Sequence, residues 1–431
     1  MNGCVAVSVQ RPGGTHSQRT LITLLGVTRR RGGRTVYDRC RHVIRLALSC
    51  EAVSVATGKS AANGQGTRIL AVDAARGVAM LFACLSHFGG WLQPAFPRAA
   101  AVLRTIGMIA TPAFMMLSGA MVSLRAGPAG LISRSLKVDL VDRGLFLVTV
   151  AHLLISLSEV HDGADFRHQI IQLNSVDVIG LGCILMAVSG NRILAWTRLT
   201  VLVSGAVMAC AWLVVILWQP MTGPTKVVAE LLVGQLNGAQ VIDYACPLAQ
   251  YLALYLIGTA LGRALALARV AGDIRPYGRR LITLGGGLLL SAVALRLMLK
   301  LDGHFPGMVA GPVIRATLSL SEKLPPSPGY LLFFGGEAFA MVGVVILLSY
   351  CSAWRPVLDW LAVIGKASLF FFVLQYFVIQ TFPYLLGLRP TALGLLLFPA
   401  DIMLLWAAAR IWTNYHGNRW LVYGLQRWQS R

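Results

Sequence analysis

Apolar stretches of about 20 residues repeat along this chain from Ile69 onward, and this repetition restricts the possible folds more than any other feature. About 20 apolar residues in helical conformation cross the roughly 30 Å hydrocarbon core of a bilayer. The third stretch is short and the fourth contains polar residues. The sequence predicts an all-α, polytopic membrane bundle of about ten transmembrane helices, at 69–92, 101–123, 144–159, 170–189, 199–218, 246–264, 281–300, 329–351, 359–382 and 391–412.

The composition excludes the main soluble classes. Of the 431 residues, 56% are hydrophobic and 13% are charged, whereas soluble domains carry about 25% charged residues. The eight cysteines show no regular spacing, which argues against a secreted disulfide framework. The apolar content also excludes disorder over most of the length.

Residues 1–67 differ from the rest of the chain because they are rich in Gly, Ser, Thr and Arg and contain no apolar run long enough to span a bilayer. A basic start followed directly by an apolar run and a small-residue cleavage site is not found, so a signal peptide is not predicted. We interpret 1–67 as a basic, flexible cytoplasmic extension or an over-extended gene start. Residues 68–412 form the predicted membrane domain, and 413–431 a short basic cytoplasmic tail.

The net charge of +21 is distributed as expected for a membrane protein. With the N-terminus inside, the loops and tail on the cytoplasmic side hold fifteen Lys and Arg residues from 125 onward. The outer loops hold six: Arg98, Arg167, Lys226, Arg315, Lys323 and Arg389. This asymmetry predicts both termini in the cytoplasm and favours a bacterial inner membrane, with lipid rather than nucleic acid as the partner.

The first predicted span carries three polar side chains that are unusual in a bilayer. Asp73 and Arg76 are three residues apart, so they share a helical face and can form an ion pair. His87 follows Arg76 by eleven residues, which places it on the same face about 16 Å further along the helix. Taken alone, Asp73 and Arg76 can be a boundary ion pair and His87 a packed histidine bonded to a carbonyl.

Other polar residues also fall inside predicted spans. Gly119 and its small neighbours are interpreted as helix-packing contacts, and Glu337 as part of a proton path or as a salt-bridge partner of Lys366 or Arg410. No metal-ligand spacing, P-loop or nucleophile elbow is found, so no metal is predicted. The remaining polar positions are Ser118, Asp177, Ser368, Gln375 and Asp401.

Four stretches together resemble known membrane acyltransferases. Arg68-x4-Asp73-x2-Arg76-Gly77 with His87 resembles the first helix of acyltransferase-3 proteins and of bacterial relatives of the heparan-alpha-glucosaminide N-acetyltransferase catalytic domain. Pro112-x-Phe114-x3-Ser118-Gly119 is similar to the second helix of both groups. The heparan-type branch also resembles this chain at Lys323-x-Pro-Pro-Ser327 and at Gly365-x2-Ser368-Leu, the latter followed by Gln375. A weaker likeness covers 247–263.

The resemblance implies transfer of an acyl group, usually acetyl from acetyl-CoA, to a hydroxyl or amine of a saccharide or lipid-linked acceptor across the membrane. It implies His87 as the catalytic base, which suits the near-neutral pKa of a free imidazole, with transfer either direct or through an acyl-histidine. Asp73 and Arg76 would order the acyl-CoA donor. The implied substrate-binding residues are Ser118, Lys323, Ser327, Glu337, Ser368 and Gln375.

The match to the family pattern is incomplete. The human-type enzyme has an amide residue at the position of His87 and its essential histidine slightly later, and Gln375 stands where a histidine is common. Two alternatives therefore stay open: a proton-coupled transporter or flippase of a small amphiphile, relaying protons through Asp177, Glu337 and Asp401, and a non-catalytic subunit of a polysaccharide assembly system.

Overall fold

The computed structural model describes residues 69–159, 166–217, 223–234, 246–302, 316–320, 323–388 and 394–425. The predicted extension at 1–67 and the last part of the predicted tail lie outside these ranges. Within them the regular structure is helical, with a single bridge between Lys323 and Pro326. The all-α class is confirmed.

Sixteen α-helices are found in the described residues. They are α1 Leu70–Leu92, α2 Pro97–Gly107, α3 Ala110–Ala126, α4 Arg134–Phe146, α5 His152–Glu159, α6 Phe166–Ile171, α7 Ser175–Ala195, α8 Thr197–Leu217, α9 Pro224–Val233, α10 Leu248–Val270, α11 Arg275–Asp302, α12 Pro328–Leu348, α13 Arg355–Lys366, α14 Ser368–Tyr376, α15 Phe382–Leu385 and α16 Gly394–Asn414. Two π-helical segments, Leu147–Ala151 and Phe377–Thr381, join α4 to α5 and α14 to α15.

Nine helical segments of the described residues are long and apolar enough to cross a membrane, and each overlaps one of the first nine predicted spans. The polytopic bundle is confirmed. The third span is longer than predicted, Arg134–Glu159, because the π-segment joins α4 to α5. The tenth predicted span, 391–412, corresponds to α16, which is not among these nine.

The predicted ninth span, 359–382, is two helices rather than one. The chain leaves helical geometry at Ala367 (φ −98°, ψ 17°), so α13 ends at Lys366 and α14 begins at Ser368. Only Ser368–Leu385 is long and apolar enough to span the membrane, and α13 packs instead along the first half of α1.

Glycines allow two helix pairs to pack backbone to backbone. A Cβ on Gly77 of α1 would collide with the carbonyl oxygen of Leu361, and a Cβ on Gly365 of α13 with that of Asp73. The pair α3–α10 is built in the same way, since Gly119 lies against the Tyr255 carbonyl. The predicted packing role of Gly119 is confirmed, and such small-residue contacts are typical of membrane helices.

Contacts at one end of the bundle join segments that the charge pattern places together on the cytoplasmic side. Asp139 pairs with Arg125 at 2.5 Å and with Arg143 at 3.1 Å. The buried Asp142 carboxylate accepts three successive backbone N–H groups of residues 423–425, at 2.6–2.9 Å. The grouping of these segments agrees with the predicted topology, and the assignment of this end to the cytoplasm stays a prediction.

Candidate active site

The three polar residues predicted on the first span all lie on α1, and Arg76 and His87 line its contact with α14 and the π-segment that follows. Arg76 donates a hydrogen bond to the Ser368 hydroxyl. Further along, the Cys84 thiol donates to Oε1 of Gln375 at 2.9 Å. The His87 Nδ1 lies 3.1 Å from the amide of Gln380. Residue numbers increase in the same direction along both helices, so α1 and α14 run parallel. We call the contact of α1 with Ser368–Thr381 the α1–α14 seam, with Arg76 at its lower end and His87 at its upper end.

Asp73 and Arg76 occupy the lower end of the seam. Asp73 lies in the first turn of α1 and is 3% exposed, where a carboxylate interacts favourably with the helix dipole. Its own backbone carbonyl is the group against which Gly365 packs. The break at Ala367 therefore brings the start of α14, with Ser368, directly beside Arg76.

His87 is half-buried at the upper end of the seam. Its ring contacts Tyr376 with centroids 4.5 Å apart and an interplanar angle of 55°. Gln380 holds Nδ1, and no described residue bonds Nε2. An amide side chain offers either its oxygen or its NH2, so Gln380 can bond either tautomer of the ring without adding charge.

Gln380 and Tyr376 were not among the predicted site residues. Gln380 belongs to the π-helical segment Phe377–Thr381, and such segments are frequent at functional sites. The available signal was a lone amide in the apolar run 377–382, since polar side chains inside a membrane need a partner. The partner itself is 293 residues away in sequence.

The structure places Lys323 and Ser327 near the upper end, with different roles. The Lys323 ammonium is within electrostatic range of His87, and its backbone carbonyl accepts a hydrogen bond from Tyr251 at 3.0 Å. Ser327 is fully buried and caps α12, because its hydroxyl accepts from the Tyr330 N–H at 3.0 Å and donates to the Ser319 carbonyl at 2.5 Å. Both hydrogen-bonding directions of Ser327 are thus used within the fold.

Ser118 and Glu337 have no described contact with the seam. Ser118 adjoins Leu117, and Glu337 adjoins Ala338, two of the apolar residues around a narrow crevice of about 20 Å3. Among the described residues Glu337 forms no ion pair with Lys366 or Arg410. These two predicted substrate-binding residues therefore lie apart from His87 in the contact network.

A second polar cluster involves a histidine that the sequence reading did not single out. His152 Nδ1 lies 2.8 Å from Oδ2 of Asp177, which also accepts the Asn174 backbone N–H at 2.7 Å. The available signal was a histidine within the predicted third span. Three buried atoms here have no hydrogen-bond partner among the described residues: Asp177 Oδ1, Asn174 Nδ2 and Gln169 Oε1.

Electrostatic contacts relate this cluster to the upper end of the seam. Asp177 is within range of the Cys246 thiol, Cys246 is within range of Lys323, and Lys323 is within range of His87. In the described part of the chain, no group of three or more His, Cys, Asp or Glu side chains is arranged to hold a metal ion. The polar groups at this end can thus supply hydrogen bonds, charge and a base.

Comparison with known proteins identifies the family. The family described as heparan-alpha-glucosaminide N-acetyltransferase, catalytic, matches residues 68–286, which is half of the chain. The chain belongs to this family. No curated protein matches the sequence.

Membership in the heparan-alpha-glucosaminide N-acetyltransferase family makes this chain a multi-pass membrane protein of an acetyltransferase family. The matched residues include Asp73, Arg76, His87 and Ser118. Lys323, Ser327 and the α14 residues lie beyond residue 286, so their resemblance to the family and their roles stay predictions. The likeness to acyltransferase-3 proteins also stays a prediction.

We expect Lys323→Met to raise the melting temperature while lowering activity. Burial lowers the pKa of Lys323, and the Arg104 charge lowers it further, while Cys246 opposes this. Because the folded-state pKa lies below the unfolded value, the unfolded chain binds the proton more readily. The charged Lys323 ammonium therefore lowers the free energy of unfolding at neutral pH. This destabilisation disappears as pH rises toward the ordinary lysine pKa.

Thermal unfolding at pH 7 and pH 10 measures this effect. The gain in melting temperature for Lys323→Met over the unchanged protein should be larger at pH 7 than at pH 10. Lys137→Met, at a partly exposed position of α4 outside the seam, is the matched control and should show no such difference. A lower melting temperature for Lys323→Met at pH 7 would contradict the interpretation.

Proposed function

We propose that this protein transfers an acyl group, acetyl in the simplest case, from acyl-CoA on the cytoplasmic side to an acceptor on the opposite side. The acceptor is a hydroxyl or amine of a saccharide or another envelope molecule, lipid-linked or free. We also propose that the protein resides in a bacterial inner membrane with both termini cytoplasmic. Family membership supports the acetyl transfer, and the distribution of Lys and Arg supports the orientation.

The observation that carries the proposal is the imidazole of His87, held inside the bundle by a neutral amide. The Gln380 amide nitrogen lies 3.1 Å from Nδ1 of His87. With the amide turned about its end so that its oxygen accepts from Nδ1–H instead, the lone pair of Nε2 is available as a base. The same hydrogen bond persists when Nε2 takes up a proton. Since Gln380 is uncharged, it orients the ring without holding it in the protonated form.

In the proposed reaction, the acceptor oxygen or nitrogen attacks the thioester carbonyl carbon while Nε2 of His87 removes its proton. A new bond to the acyl carbon forms and the carbon–sulfur bond breaks. The proton on His87 then passes to the departing CoA thiolate, so the enzyme returns to its initial state. Arg76, held by Ser368, and Asp73 would order the donor at the lower end of the seam.

Groups at the upper end suit an acceptor that carries hydroxyls. Asp177 Oδ1 and Gln169 Oε1 are buried acceptors and Asn174 Nδ2 is a buried donor, and no side chain or backbone group in the described ranges bonds any of the three atoms. Buried polar atoms of this kind call for a ligand or an ordered water. Lys323 adds a positive charge within electrostatic range of His87.

The contacts favour this reaction over the proton relay of a transporter. The Asp177 carboxylate already bonds the His152 ring and the Asn174 backbone N–H at the start of α7. Glu337 and Asp401 lie on α12 and α16. In the described ranges, no hydrogen bond or ion pair joins any two of the three carboxylates that the relay would need.

The direct test is acyl transfer by the purified full-length protein in nanodiscs. We expect transfer of labelled acetyl from acetyl-CoA to at least one member of a panel of saccharide acceptors, with release of free CoA in equal amount. Absence of transfer to every acceptor, combined with proton-coupled uptake that Glu337→Gln abolishes and His87→Asn does not, would instead establish the transporter. Absence of both activities would favour the assembly subunit.

A further inference from the structure

An open pocket of about 250 Å3 lies at the end of the bundle where α1 begins. It is lined by Ile69, Arg269, Gly272, Ile274 and Tyr350. These residues come from the start of α1, the end of α10, the turn before α11 and the end of α12. By the charge pattern, this is the cytoplasmic end of the protein, and we call this feature the basal pocket.

The basal pocket combines guanidinium groups with an aromatic ring. The Arg275 guanidinium carbon lies 4.4 Å from the centroid of the Tyr350 ring, and the Tyr350 side chain is 44% exposed. Arg269 forms no ion pair with any described residue, so its charge is available to a ligand. Arg279 and Arg280 follow one turn further along α11 and are exposed.

In the described part of the chain, one acidic side chain lies at the pocket edge, Asp273, which belongs to the turn that shapes the pocket and pairs with Arg275 at 3.4 Å. Asp273 accepts the Arg275 backbone N–H at 2.9 Å and the Tyr350 hydroxyl at 3.2 Å. The first of these hydrogen bonds is the main reason that the pKa of Asp273 is lowered. Gly272 has φ +90° and faces open space, so the turn leaves the pocket free.

This set of groups matches the chemistry of an adenine nucleotide. Arginine binds phosphate through a planar fork of N–H donors and stays charged at all physiological pH values. A base stacks on an aromatic or guanidinium plane. A ligand with several phosphates would also offset the positive charge that the pocket carries.

The residue that α1 contributes to the basal pocket, Ile69, lies on the same side of the helix as Arg76 and His87. Arg76 follows Ile69 by seven residues and His87 follows it by eighteen, which are about two and five helical turns. All three therefore point from nearly the same side of α1, and the distance from Ile69 to His87 along the axis is about 27 Å. A ligand bound at the pocket could extend a long flexible arm toward Arg76 and His87.

We propose that the basal pocket binds the phosphorylated nucleotide end of the acyl-CoA donor, with Arg269 contacting phosphate. This inference rests on the proposed acyl transfer, because it places the donor of that reaction. Coenzyme A carries its thiol at the far end of a pantetheine arm from its nucleotide. The pocket would hold the nucleotide outside the bilayer while the thioester reaches the seam.

A truncated donor gives the sharpest test. Arg269→Ala should raise KM for acetyl-CoA by about tenfold, the loss expected for one arginine–phosphate contact, and leave KM for acetyl-pantetheine unchanged. The matched control is Arg355→Ala, at an exposed arginine that pairs with Asp359 on α13. It should change neither KM. Equal KM changes for the two donors, or no change for either, would overturn the proposal.

Binding of CoA itself tests the pocket without any turnover. Calorimetry should show that the unchanged protein binds CoA more tightly than pantetheine. Arg269→Ala should reduce the ratio of the two affinities about tenfold. This result would support the pocket even if no acetyl transfer were found, and transfer with an unchanged CoA preference would reject the pocket alone. Failures of the two proposals are thereby distinguished.

An anionic lipid headgroup presents the same phosphate chemistry to Arg269. The measurements are therefore made in nanodiscs of purely zwitterionic lipid and in nanodiscs containing anionic phosphatidylglycerol. The expected effect of Arg269→Ala on CoA binding is present in both. An effect confined to the anionic nanodiscs would assign the pocket to lipid and overturn the nucleotide proposal.

Discussion

His87→Asn should reduce acetyl transfer by about 10²- to 10⁴-fold, the range contributed by a positioned general base. Asparagine can still bond Gln380 but cannot take a proton from the acceptor. The loss should therefore appear in kcat at saturating acetyl-CoA, with donor binding little changed. Initial rates of labelled product formation in nanodiscs measure it.

The matched control for this variant is His416→Asn. His416 is exposed beyond α16 and has φ 53°, a conformation that asparagine tolerates well. We expect unchanged transfer for this variant and an unchanged elution profile for both. Equal rates for His87→Asn and the unchanged protein would remove His87 from the catalytic role and leave the family membership intact.

The second large effect concerns stability. Replacing glycine by alanine should lower the free energy of unfolding at one position and raise it at another. Gly365→Ala places a methyl group against the Asp73 carbonyl, so α1 and α13 must move apart. Overpacking of this kind destabilises by about 1–3 kcal/mol or more. Gly287→Ala, on an exposed part of α11 with open space in front of it, should instead gain up to about 1 kcal/mol from helix propensity.

Melting of the two variants in detergent, followed by the fraction that remains monodisperse, compares them directly. Gly365→Ala should melt well below the unchanged protein and Gly287→Ala at or above it. Similar melting temperatures for both variants would show that the α1–α13 contact adapts to a methyl group. Because Asp73 lies in this contact, we also expect Gly365→Ala to reduce transfer.

Much of the fold could be predicted from the sequence because a bilayer imposes a simple length rule on apolar helices. The placement of Asp73, Arg76 and His87 along one helix was predictable for a similar reason, since helical periodicity relates near neighbours. Nine spans and the first site helix agree with that reading. The break at Ala367 was not predicted, although Gly365, Lys366 and Ser368 interrupt the apolar run there, because the total length of 359–382 fits a single span.

The partners of His87 could not be read from the sequence. Gln380 and Tyr376 reach the ring only through the packing of helices separated by almost the entire membrane domain, and the π-segment shifts which side chains face α1. Ser327 illustrates the opposite case. A serine before Pro-Gly at the start of an apolar run indicates a helix cap, and that local signal was available beside the family resemblance.

The glycine contact of α1 with α13 has a mechanical consequence. It fixes α1 at Gly77, about 15 Å from His87 along the helix axis. A second close contact holds the outer half of the helix, because Gly107 packs against the Phe82 carbonyl and Gly89 against the Ala100 carbonyl. A tilt of about 4° around Gly77 would displace the imidazole by about 1 Å, and misplacement by 1 Å can slow a reaction about 10²-fold. Backbone contacts at both levels of α1 therefore restrict such tilts and keep the position of the imidazole fixed.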